Sequence, residues 1–129
     1  LPDPHAVGEI WCTALWDMTW ALIDEYGITP SLYDTAGKGG NIIAMKIVTL
    51  GLALTPCSPG FEDAKKALLH ADNNRFDRKY DCIIKRAFAH RGMGAYFTQG
   101  SSFSYTDGTV DFTEPIDGRI LSIQAKAPG

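Results

Sequence analysis

The stretch Ala6-Val-Gly-Glu-Ile-Trp-Cys-Thr-Ala-Leu-Trp-Asp-Met-Thr-Trp-Ala-Leu-Ile-Asp-Glu-Tyr26 decides the fold. It is almost continuously apolar, yet its polar residues Glu9, Thr13, Asp17, Asp24 and Glu25 fall near one stripe at helical spacing. That pattern predicts a long, largely buried helix over residues 6–26. Trp11, Trp16 and Trp20 are expected to bury large areas, with Trp16 and Trp20 four apart and so neighbours on one face. Gly27 follows as a C-terminal cap.

Working outward, residues 28–40 hold Pro30, Gly37, Gly39 and Gly40 without sustained periodicity and read as a connector. Asn41 is placed to cap a second helix running to Leu54, where Ile43, Ile47, Leu50 and Leu54 share a face; the β-branched residues keep a strand open as an alternative. Ser58-Pro59 is a helix-start signature for a third helix over 59–73, with Phe61, Ala64, Leu68 and Ala71 at helical spacing before the Asp72-Asn73-Asn74 turn. A fourth helix is expected over 78–91, with Tyr80, Ile83, Ile84, Ala87 and Phe88 inward and Gly92 as its stop. The fold class is therefore mainly α. After Gly94 helical periodicity ends, so residues 1–94 read as a helical subdomain and 95–129 as a turn-rich tail and linker, in which Ile120–Ile123 could form a short strand.

The chain has 129 residues, 45% hydrophobic and 21% charged, which fits one globular domain. Twelve Lys and Arg against fifteen Asp and Glu give a net charge of -3, without the basic footprint that a nucleic-acid partner needs. The run Ile47–Leu54, interrupted by Thr49 and Gly51, falls far short of the ~20 residues that span a bilayer. The chain opens on Leu1-Pro2-Asp3-Pro4-His5, which reads as though cut from something longer, and no signal peptide is expected within it. Cys12, Cys57 and Cys82 form no C-x-x-C pair; one disulfide plus one buried thiol is the arithmetic left over.

Read for chemistry, His5 and Glu9 have an H-x-x-x-E spacing, but two residues do not make a metal site, and His70 and His90 have no metal-type neighbour at a telling distance in sequence. On residues alone Glu9 is a first-turn carboxylate favoured by the helix dipole, and His5 a residue of the loop before the helix. The carboxylate pairs Asp24/Glu25 and Glu62/Asp63 sit where helix ends explain them, and Lys65, Lys66, Lys85 and Arg86 read as solvated faces.

Five blocks together carry a resemblance: His5-Ala-Val-Gly-Glu-Ile-Trp11, Ala44-Met-Lys-Ile-Val48, Leu54-Thr-Pro-Cys-Ser-Pro-Gly-Phe61, Ala67 through Asp72, and Ala87-Phe-Ala-His-Arg-Gly-Met-Gly94. In order and spacing they resemble the C-terminal part of fungalysin-type zinc metallopeptidases over about residues 3–110. The Gln99–Ser102 and Thr106–Thr109 segments resemble the lead-out of its secreted bacterial branch.

The resemblance implies a helical C-terminal subdomain of a thermolysin-like peptidase, one wall of an active-site cleft whose other wall carries zinc in the full-length parent. The family's H-E-x-x-H helix and downstream Glu are absent from this chain, so no zinc is expected in it and the chain alone is expected to be inactive. Its implied partners are the zinc-bearing N-terminal half of the catalytic domain and a peptide or protein substrate, with a homodimer through the exposed cleft face as another cover for that face. His5 matches the family's transition-state-stabilising histidine. Asp3 could accept from its other ring nitrogen, and Glu9 is a substrate-cleft candidate. Cys57 and Cys82, both in family blocks of an exported parent, are expected to pair, leaving Cys12 buried. The alternative function is a non-catalytic helical module that kept the fold and binds a peptide or protein.

Overall fold

A computed structural model describes residues 3–116; the Ile120–Ile123 segment lies outside them. Four helices follow in order: α1 (Pro4–Tyr26), α2 (Gly40–Leu54), α3 (Phe61–Phe76) and α4 (Asp81–His90). The described chain is thus mainly α. Its only β pairing is two isolated bridges, Met93 with Asp111 and Thr98 with Thr109.

α1 starts earlier than the apolar pattern suggests. Asp3 is its N-cap, accepting the His5 N–H through Oδ1 at 3.0 Å, and Pro4 takes the first helical position, where a missing N–H costs nothing. Gly27 closes it at φ 70°, its N–H donating to Ile23 O at 2.7 Å. The buried face is Ala14, Met18 and Leu22, spaced by one turn each. Of the three tryptophans only Trp11 belongs to the core, stacked on Phe61 at 5.9 Å between ring centroids and tilted against Phe88 at 5.3 Å. The expectation of a largely buried helix is corrected here: Trp16 is 60% and Trp20 45% exposed, because both project away from the Ala14–Leu22 face.

α2 is a helix, not a strand, and begins with Gly39 as N-cap. Asn41 does not cap it. Its side chain reaches back to clamp the connector, taking the Thr29 N–H on Oδ1 and donating from Nδ2 to Thr29 O, both at 2.9 Å. Gly40 is the close-approach point of α1 and α2. A Cβ there would lie 2.2–2.3 Å from Leu22 and Ile23 main-chain atoms, so only glycine fits. Ile43, Ala44 and Ile47 face the core, whereas Leu54 is exposed.

α3 starts at Phe61 after Gly60, two residues past the Ser58-Pro59 signal, and Asp63 Oδ2 accepts the Gly60 N–H at 3.0 Å. It runs through the expected Asp72-Asn73-Asn74 turn, so His70 is an exposed mid-helix residue and not one near a C-terminus. The true turn follows at Asp77 and Arg78, both left-handed at φ 53° and 63°. Asp72 stabilises that turn. Fully buried, it takes the Tyr80 N–H on its carboxylate at 3.1 Å, and its carbonyl takes the Arg78 N–H at 3.4 Å. Tyr80, at the N-cap of α4, packs edge-on to Tyr26 and Phe76.

The segment after α4 folds back over α3. Gln99 Oε1 accepts the Glu62 and Asp63 N–H groups at 2.8 and 3.1 Å, and its Nε2 donates to Asp63 Oδ2 at 2.7 Å, so a side chain from the tail satisfies the free amides of the α3 N-terminus. Half-buried Lys65 donates to Met93 O at 2.7 Å and Gly94 O at 3.2 Å. Asp111 gathers the Tyr96 and Thr113 N–H groups at 2.9 and 3.1 Å.

Candidate functional site

The first turn of α1 brings Asp3 and His5 together. Asp3 Oδ1, already bonded to the His5 N–H, also lies 2.9 Å from His5 Nδ1. A carboxylate can only accept, so Nδ1 carries the proton and Nε2 is the free ring atom. His5 sits inside the helix, not on the preceding loop. It is nevertheless open, with its side chain 93% exposed. Asp3 is 64% exposed.

Glu9 lies one turn beyond His5 on the same face, exposed, its main-chain carbonyl accepting from Thr13 Oγ1 at 2.8 Å. Asp3, His5 and Glu9 are thus gathered at one end of one helix. A site on a helix end fixed by its own cap is more precisely held than one on a loop.

Among the described residues no three of His, Cys, Asp and Glu converge, so this part of the protein does not by itself fit a zinc ion. No helix among the described residues is long and apolar enough to cross a membrane. No bond joins Cys57 and Cys82, the pair expected from the resemblance, in this structure. All three cysteines are free and exposed, Cys12 included. Cys57 lies in the α2–α3 loop and Cys82 in the first turn of α4, beside Lys65, Lys85 and Tyr96.

Several polar residues that fix the geometry were not evident as such from the sequence. Arg91 forks onto Asp17, tying the end of α4 to the middle of α1, with Nη2 to Oδ1 at 3.2 Å. His90 Nε2 meets Glu114 Oε1 at 2.8 Å, which holds the tail against α4. The hydrogen bond from Gln99 Nε2 holds Asp63 below its ordinary carboxylate value, with the Gly60 N–H as the next cause. The Tyr96 N–H does the same for Asp111. Burial pushes Lys65 down and Asp72 up. A groove of about 550 Å³ opens between Val7 and Ile10 of α1, Phe61, and Phe97 and Tyr105 of the tail. It lies around the helix from His5 and does not include it.

Comparison with known proteins bears out the resemblance read from the five blocks. Residues 1–96 match the family model of the fungalysin metallopeptidases (M36). The chain is 40% identical over 115 residues to a probable extracellular metalloproteinase 4 of Arthroderma benhamiae, covering 84% of this chain and 17% of that protein. It is 36% identical over 106 residues to extracellular metalloproteinase 2 of Arthroderma gypseum and 35% identical over 106 to that of Trichophyton tonsurans, each covering 79% of this chain and 17% of the relative. The chain spans about a sixth of their length. By the extent of the family match and the shared identity, the chain belongs to the fungalysin metallopeptidase family.

Proposed function

We propose that this chain is the C-terminal helical part of a secreted zinc metalloendopeptidase, forming one wall of its cleft and donating a hydrogen bond from His5 to the transition state. The observation that carries the reading is the Asp3–His5 pair: a carboxylate that fixes Nδ1–H leaves Nε2 directed outward. When a nucleophile adds to a peptide carbonyl, negative charge develops on the carbonyl oxygen. A preset N–H donor at that oxygen stabilises the tetrahedral species more than the bound peptide. With Nδ1–H committed to Asp3, donation from Nε2 uses the doubly protonated ring. Asp3 acts through His5 as a positioning residue, and Glu9 faces the substrate one turn along. Zinc belongs to the full-length parent, on residues other than those described here. Export is supported by the extracellular naming of the relatives.

The test is His5→Ala in the intact parent, with kcat, zinc content and melting temperature measured on one preparation. The expected result is a fall in kcat of roughly 10²- to 10³-fold with zinc retained. An unchanged kcat in a folded, zinc-loaded enzyme sinks the assignment.

A further inference from the structure

Thr98 and Thr109 pair main chain to main chain, each N–H donating to the other's carbonyl, at 3.2 and 2.8 Å. Residues 100–108 between them form a closed loop whose ends lie side by side. The loop lies beyond residue 96, where the family match ends. It holds Phe103 82% and Tyr105 61% exposed, apolar surface that the fold leaves in water.

The hydrogen bonds of the loop are local. The Ser104 N–H donates to Ser101 O at 3.0 Å, the Phe103 N–H to Ser101 Oγ at 3.2 Å, the Thr106 N–H to Ser104 Oγ at 3.3 Å and the Ser101 N–H to Asp107 Oδ2 at 2.9 Å. These bonds can open without disturbing a helix. The loop also stands off the bundle, because the groove of about 550 Å³ separates Ser102 and Tyr105 from Val7 and Ile10 of α1. An endopeptidase takes its substrate as an extended strand, so a segment open on both sides and bonded only to itself is the one it can draw out.

The connector over residues 28–39 presents Tyr33, 94% exposed, yet it is tied to α2. Lys46 Nζ donates to Thr35 O at 2.6 Å, Asn41 holds both main-chain groups of Thr29, and a Cβ on Gly37 would lie 2.5 Å from the Thr29 side chain. Drawing that segment out breaks contacts with a helix.

We propose that the loop over residues 100–108 is a site of limited proteolysis, cut beside Phe103 or Tyr105 by an endopeptidase that accepts large apolar side chains, and that the cut chain stays assembled. Hydrolysis adds one water across the bond. Its oxygen joins the carbonyl carbon as the C–N bond breaks and one proton passes to the leaving nitrogen; the new acid then ionises and the new amine takes up a proton. Both flanks are held independently of the loop. On one side Gln99 is bonded to the start of α3. On the other the Asp111 N–H donates to Gly92 O at 2.8 Å, Asp111 O accepts the Gly94 N–H at 2.7 Å, Thr113 O accepts the Ala95 N–H at 3.0 Å, and Glu114 meets His90. The loop shares no residue with the Asp3–His5 pair, so the outcome of His5→Ala does not bear on the proposal.

The experiment is brief digestion of the 129-residue chain and of the intact parent with a catalytic amount of chymotrypsin, whose pocket is a hydrophobic slot, with the cut bonds read by mass spectrometry. Cutting after Phe103 or Tyr105 is expected to outpace cutting after Tyr33 by on the order of tenfold or more in both proteins. The nicked chain is expected to elute as one species in native buffer and to part in denaturant. A first cut after Tyr33 or within a helix overturns the proposal, and so does a parent that resists cutting in the loop while the 129-residue chain is cut. Fragments that part in native buffer overturn the claim that the flanks hold. Replacing both aromatics, Phe103→Gly with Tyr105→Gly, should slow cutting in the loop by on the order of tenfold or more while the melting temperature is unchanged. An unchanged rate of cutting in that folded variant overturns the assignment to these two residues.

Discussion

Gln99 and Asp63 are 36 residues apart in sequence and bonded twice: the Gln99 amide oxygen takes the Asp63 N–H at 3.1 Å, and its amide nitrogen donates to Asp63 Oδ2 at 2.7 Å. A neutral side chain thereby caps the start of α3 while also holding the first-turn acid. Gln99→Ala should destabilise by about 1–2 kcal/mol, the range for losing a helix cap. Gln99→Glu should be worse, since a second carboxylate would face Asp63. Urea unfolding checks both, and a Gln99→Ala midpoint equal to the parent's refutes the clamp.

Asp3 has two separable duties, capping and orienting. Asn caps about as well as Asp, so Asp3→Asn should keep stability within a few tenths of a kcal/mol, while Asp3→Ala should lose about 1 kcal/mol. If Asp3 positions His5, both should lower kcat of the intact peptidase, and KM should change less. A kcat that follows stability alone would leave Asp3 as a cap only.

Acid should act on this fold with two opposite signs. Asp63, Asp111 and Glu62 lie below their ordinary values, held there by Gln99, by the Tyr96 N–H and by the Lys66 hydrogen bond respectively, so each stabilises above its unfolded value and that contribution is lost as pH falls through the folded one. Asp72 is raised by burial. Its contribution is fullest below the unfolded value and is lost as pH rises through the folded one. Asp72→Asn keeps an acceptor for the Tyr80 N–H and removes the buried charge, so its stability relative to the parent should be better at pH 7 than at pH 3.5. Denaturant melts at the two pH values decide it; the reverse order refutes the burial argument.

Three free, exposed thiols should react with Ellman's reagent in the native, unreduced chain. A count of one thiol in the denatured, unreduced chain would show that two of the three cysteines are paired, as expected of Cys57 and Cys82.

Helix identity was legible because periodicity and stop signals are local: Gly27 ends α1, and the expected inward residues Ile84, Ala87 and Phe88 are buried in α4 along with Ala89. Boundaries failed where a local signal was overridden by a distant partner. Asn41 had the chemistry of a cap and spends it on Thr29, twelve residues earlier. Asp72 looked like a turn residue and is a buried acceptor for Tyr80. The Asp3-Pro4 pair, a cap followed by a first-position proline, was the signal that would have put His5 inside the helix. At the site, His5 with Asp3 was legible through family resemblance and simple proximity. Gln99, Lys65 and Arg91 were not, since their partners lie 28 to 74 residues away in sequence. The exposure of Trp16 and Trp20 was hidden for a different reason: an apolar pattern reports that a surface is to be covered, not by what.

The glycine contact at position 40 has a mechanical meaning. It pins α1 near Leu22 and Ile23, some 17 residues or about 26 Å from His5 at ~1.5 Å per residue, and Arg91 on Asp17 and the Trp11 stack hold the stretch between. A tilt of only about 2° at the pinned end would swing the imidazole by about 1 Å, a displacement on the order of what costs 10²-fold in rate when catalytic groups are misplaced. If His5 acts as proposed, its aim depends on contacts along the whole helix, and a side chain forced in at Gly40 would be felt as lost alignment as well as lost stability.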